Sequence, residues 1–100
     1  MVNTLHNNLY VLLSSVRNRK ETERLLLDLL SPAEIDNIAE RWHIMQQVAS
    51  GRSHRAIAKS VGTSIAKVSR CARVVKHGNG AIRGRLQKLS KPKARSKKQS

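Results

Sequence analysis

The stretch from His54 to Arg73, HRAIAKSVGTSIAKVSRCAR, admits few folds. Ala58 suits a place where two short helices cross closely, Gly62 a turn that needs φ > 0, and Val68 the buried face of the second helix. Together they spell a helix-turn-helix over 54–73, with the helix after Gly62 as the reader of bases. Ser53 is placed to cap the first of its helices, and Thr63 or Ser64 the second.

Charge places that motif in a distinctive setting. The chain carries a formal net charge of +14, with all six acids (Glu21, Glu23, Asp28, Glu34, Asp36, Glu40) between positions 21 and 40. Residues 41–100 hold sixteen of the twenty Lys and Arg and no acid. Clustered cations gain affinity for a polyanion by releasing its counterions, so a basic half that also contains a reading motif points to double-stranded DNA. Other chemistries find little support. Cys71, the single cysteine, has no histidine beside it in a motif, the histidines are scattered without metal spacing, and Gly78-Asn79-Gly80 follows a helix rather than a strand. An enzyme is therefore not expected, and no metal site is. One cysteine forms no internal disulfide and suits a reducing cytoplasm. The apolar run from Leu9 to Leu13 is too short for a signal peptide or a membrane span.

The rest of the chain reads as further helices. Leu5, Leu9, Leu12, Leu13 and Val16 make a helical stripe, which the polar residues 18–23 interrupt. A short second helix follows from Arg24 to Leu30, apolar on most sides, as suits a segment buried between two subunits. Ser31-Pro32-Ala33-Glu34 starts the next, with Ser31 as N-cap, Pro32 in the first helical position and Glu34 completing a capping box. Ile35, Ile38, Trp42, Met45 and Ala49 form its predicted inner stripe to about Ser50, and Gly51 supplies a left-handed end. A last helix spans Ala81 to about Leu89. From Ser90 the sequence is basic and lacks large apolar residues, so a helical domain over 1–89 and a disordered basic tail over 90–100 are expected. With 39% apolar residues and two aromatics in 100, such a domain is thin for a single core, and a homodimer that shares its core is expected.

Between Leu27 and Lys76 the chain resembles the bacterial Trp repressor family, through L-x-x-S-P-x-E, the helix of Arg41, G-x-S-x-R-x-I and S-I-A-x-V-S-R. The resemblance implies an all-α fold of about six helices, an intertwined homodimer, and a helix-turn-helix on each subunit that acts at a pseudo-palindromic operator, as a cytoplasmic repressor associated with the nucleoid. In tryptophan-sensing members the indole lies between two arginines beneath a hydroxyl at the rim. Arg41, Arg70 and Ser31 match those positions, which makes L-tryptophan the candidate effector. Arg41 would stack on one ring face, and Arg70 would cover the other and hold the carboxylate. Two positions depart: Cys71 replaces a close-approach glycine, and Val74 replaces a serine that helps hold the amino acid. The loss of a partner for a buried ammonium costs about 1–3 kcal/mol, roughly tenfold to a hundredfold in affinity. The loop between Gly51 and Ser53 is one residue shorter than in those members, and VVKHGNGAIRGRL looks more like Trp-repressor-like proteins of unknown ligand.

On DNA, the first residues of the second helix meet base edges while flanking cations and hydroxyls grip phosphate. Thr63, Ser64, Ala66 and Lys67 are expected in the groove, Lys67 at a guanine and Ala66 at a thymine methyl. Arg55 matches a position from which the family contacts guanine. Lys59, Ser69, Arg70, Arg73 and Lys76 are expected on phosphate, with Arg83, Arg85 and the tail extending the grip. Two other readings stay open: a non-specific DNA-compacting or RNA-binding protein, and a protein-interaction module built on Leu25–Leu30.

Overall fold

Local capping chemistry sets most of the element boundaries. The computed structural model describes residues 2–89, and among these it contains six α-helices and no strand. Helix α1 spans Val2–Leu13 and ends where the Ser14 and Ser15 hydroxyls donate back to the Val11 and Leu12 carbonyls, at 2.9 and 2.6 Å. Helix α2, Arg19–Leu29, starts earlier than the polar run at 18–23 suggests. Asn18 is its N-cap, accepting from the Glu21 N–H at 2.9 Å, and the Glu21 carboxylate takes the Arg17 N–H at 2.9 Å in return. The two bonds satisfy the Glu21 and Arg17 N–H groups at the helix start and turn a polar break into a polar first turn.

Helix α3, Pro32–Ala49, begins with the expected capping box: Glu34 N–H donates to Ser31 Oγ at 3.2 Å, and Ser31 N–H to Glu34 Oε1 at 2.8 Å. Gly51 follows it with φ of 90°. Helices α4 (His54–Val61), α5 (Ile65–His77) and α6 (Ala81–Leu89) complete the described chain. The expected basic tail over 90–100 lies outside the described residues.

The described residues form two compact units, divided between Asn37 and Ile38. In the first, no residue of α1 or α2 is buried, and Val2, Leu5, Tyr10 and Leu27 are each about 60% exposed. Leu27, Leu30, Pro32 and Ile35 line a shallow apolar cleft there.

The second unit has a true core. Ile44, Met45, Ile57, Ala58, Val68 and Cys71 are buried against one another, with Trp42, Val48, Val61, Val75 and Ile82 packed around them. Ile44, Ile57 and Val68 are wholly buried, each contributing about 1.5–3 kcal/mol of transfer free energy. The inner face of α3 differs from the predicted stripe. Met45 is buried and Trp42 packs on the core, but Ile38 is 51% exposed, Ala49 is exposed, and the innermost residue is Ile44. An 18-residue helix with apolar side chains on several faces has its inward face chosen by its neighbours, and here Ile57 and Val68 select Ile44.

Candidate nucleic-acid interface

Helices α4 and α5 are joined by Gly62, Thr63 and Ser64. Gly62 has φ of 83° and ψ of 38°, and its N–H and that of Thr63 both donate to the Ala58 carbonyl, at 2.9 and 3.0 Å. The left-handed residue turns the chain within one step, and Ala58, buried at the crossing, leaves room for α5. Ser53 caps α4 by accepting from Ala56 N–H at 3.1 Å, and Ser64 caps α5 by accepting from Lys67 N–H at 3.0 Å. The motif has the local geometry expected of it.

Its inward and outward faces separate cleanly. Val68, Cys71 and Ala72 of α5 and Ile57 and Ala58 of α4 point into the core. Arg55 and Lys59 of α4 and Ser64, Ala66, Ser69, Arg70, Arg73 and Lys76 in and before α5 are exposed, while Thr63 and Lys67 are half-buried. Neither helix contains an acid. The exposed face therefore combines unopposed cations, small hydroxyl side chains and the partially positive start of α5, a surface suited to phosphate oxygens and base edges.

Two clefts flank α5. One is open and is lined by His54, Ser69, Ala72, Arg73, Lys76 and His77. There His54 Nδ1 lies 3.3 Å from Ser69 Oγ, linking the first residue of α4 to the middle of α5. In the sequence His54 reads as a solvated residue at a helix start, and nothing there gives His77 a role. The signal is faint: a contact across fifteen positions cannot be read from spacing along one helix.

The other cleft, about 280 Å³, lies between α3 and α5 and is lined by Arg41, Met45, Lys67, Arg70, Cys71 and Val74. Arg41 and Arg70, paired by resemblance alone, thus share one cleft. Ser31 belongs to the first unit, where its hydroxyl serves the α3 cap. Met45 and Cys71 are buried, and burial pushes the Cys71 thiol up from its ordinary value, against the opposing pull of Arg41, Lys67 and Arg70. A protonated thiol is a poor nucleophile, so Cys71 acts as an apolar lining atom. The Lys67 ammonium is ion-paired with the Glu40 carboxylate. At the far end of α5, the Arg83 guanidinium donates to the Val75 carbonyl at 3.3 Å and to the Lys76 carbonyl, fastening α6 to carbonyls that a helix end leaves unpaired.

A sequence model described as Trp repressor protein matches residues 5–90. The chain belongs to the Trp repressor family. This family member is 27% identical over 82 residues to YerC, an uncharacterized protein of Bacillus subtilis strain 168, covering 82% of this chain and 79% of that one. A protein from Staphylococcus aureus, described from its crystal structure as a candidate Trp repressor, superposes with a TM-score of 0.76 at 24% identity over 87% of each chain. That likeness establishes the six-helix fold. Family and fold are those of DNA-binding regulators, and among the described residues no helix is long and apolar enough to cross a membrane.

Proposed function

We propose that this protein is a sequence-specific transcription regulator that binds double-stranded DNA as a homodimer and represses by occupying a pseudo-palindromic operator. The observation that carries the reading is the acid-free outer face of α4 and α5, where Arg55, Lys59, Arg70, Arg73 and Lys76 surround the small side chains of Thr63, Ser64, Ala66 and Ser69. Arg55 and the start of α5 face bases, and the remaining cations hold phosphate and set register. Pairing is supported by the first unit, where no residue of α1 or α2 is fully buried and Val2, Leu5, Tyr10, Leu27 and Leu29 stay exposed. Surface of that kind is normally covered by a partner. Two reading motifs in such a dimer meet half-sites about one helical turn apart. The protein acts in the cytoplasm, on the nucleoid.

The cleft between Arg41 and Arg70 is the effector site of this reading, and L-tryptophan is the ligand to test first. Cys71 places a side chain at its floor, and Val74 offers no hydroxyl, so tryptophan would bind weakly.

Selection of binding sites from random duplex DNA at about 0.15 M salt, where exposed charge is screened over roughly 8 Å, tests the proposal. A palindrome enriched with and without L-tryptophan supports a regulator of another input, and one enriched only with tryptophan supports a tryptophan sensor. No enrichment in either condition refutes sequence-specific regulation in favour of non-specific binding.

A further inference from the structure

We infer that Glu40 and Lys67 form a strut that sets the position of the base-reading helix, and that Lys67 is a positioning residue instead of a reader of bases; the inference rests on the DNA-binding proposal above.

Three observations converge. Both nitrogens of Lys67 are already engaged: its main-chain N–H donates to the Ser64 cap, and its ammonium is paired with Glu40 on α3. Lys67 lies, moreover, half-buried on the side of α5 that is turned toward α3. Lys67, Arg70, Cys71 and Val74 follow the i, i+3, i+4, i+7 spacing of a single helical stripe, and all four line the cleft that Arg41 and Met45 of α3 close from the other side. Ala66, Ser69, Arg73 and Lys76 lie on a different stripe, and the last three line the opposite cleft. Finally, both partners are largely shielded, with side-chain exposures of 28% for Lys67 and 32% for Glu40. A half-buried ammonium that left its carboxylate for a base would leave that carboxylate behind without a counter-charge, which is costly.

Glu40 is also the last acid of the chain, with none in residues 41–100. A carboxylate at the edge of a cationic surface weakens affinity for DNA by repulsion. Its presence there is accounted for by the strut, which joins the first turn of α5 to α3 and so fixes the angle at which Thr63, Ser64 and Ala66 meet a groove. Small side chains have short reach, and their contacts depend on that angle.

Charge reversal separates a strut from a base contact. The full-length variants Glu40→Lys, Lys67→Glu and the double reversal are compared with the native chain by thermal midpoint and by affinity for the selected duplex. Each single reversal sets like charges against each other, and the expected result is a lower midpoint and at least about tenfold weaker binding. The double reversal restores the midpoint and brings affinity back to within about twofold, the scatter of independent substitutions. A double reversal that recovers its midpoint yet stays as weak on DNA as Lys67→Glu overturns the inference and makes Lys67 a DNA contact. Failure to recover the midpoint overturns it as well. Should the native chain select no site, the proposed function fails, and recovery or loss of the midpoint alone decides for or against the strut.

Discussion

Replacement of three glycines by alanine, one at a time, tests whether backbone geometry around the reading motif is understood. Gly62 has φ of 83°, and a Cβ added there meets nothing within 4 Å. The cost of Gly62→Ala is therefore conformational, about 1–2 kcal/mol for an L-residue held in the left-handed region, with no packing contribution. Gly84 also has open space around an added methyl but sits within α6 with ordinary helical geometry. There the same change removes the helix penalty of glycine and stabilises by roughly 0.5–1 kcal/mol. At Gly78 the φ of −71° is unstrained, yet the added carbon would lie 2.6 Å from the Val74 carbonyl oxygen, which is fixed backbone. Gly78→Ala must shift the end of α5 and costs about 1–3 kcal/mol. Urea unfolding followed by fluorescence of Trp42, the single tryptophan, at fixed chain concentration reads all three. A neutral Gly62→Ala, or a destabilising Gly84→Ala, would refute the reasoning, because the two sites differ in backbone conformation and not in available space.

Further outcomes are expected. Arg73→Ala and Lys76→Ala each weaken every duplex to a similar degree and lower the slope of log affinity against log salt by about one, whereas Arg55→Ala relaxes preference at one base pair; salt titrations on selected and scrambled sites distinguish them. Cys71 is buried with its thiol pushed up, so iodoacetamide labels it slowly at about pH 7.5 in the native protein and rapidly in urea, by mass spectrometry. The Ser31 N–H and hydroxyl hold the Glu34 carboxyl below its ordinary 4.5; a pKa lowered by folding adds stability that is complete above the ordinary value and disappears as pH falls through the folded one. Glu34→Gln accordingly flattens the loss of urea resistance below about pH 5, the window set by the ordinary carboxylate range.

The features legible in the sequence are those decided within a few residues. The Ser31–Glu34 box, the Ser53 and Ser64 caps and the turn at Gly62 each depend on atoms three or four positions apart, and each is found where the residue types place it. The start of α2 is equally local but is obscured by charge: Asn18 and Glu21 look like a break because polar residues mark loops and first turns alike. Features set across the chain are not legible. Burial of Ile44 in place of Ile38 depends on Ile57 and Val68, and the contact of His54 with Ser69 depends on how α4 crosses α5. Arg41 and Arg70 reach a common cleft, a pairing that only resemblance suggests. Nothing along the sequence joins Lys67 to Glu40, twenty-seven positions away.

The grip of Arg83 on the last carbonyls of α5 bears on how the molecule is made. Synthesis runs from the N-terminus and elements order as they emerge, and α6 is the last of the described helices. The last carbonyls of α5 therefore gain these two donors only from an arginine translated after them. A nascent chain that has released α4 and α5 still lacks this clasp, so on the function proposed above the DNA-facing helix is fastened at its C-terminal end only after α6 has emerged.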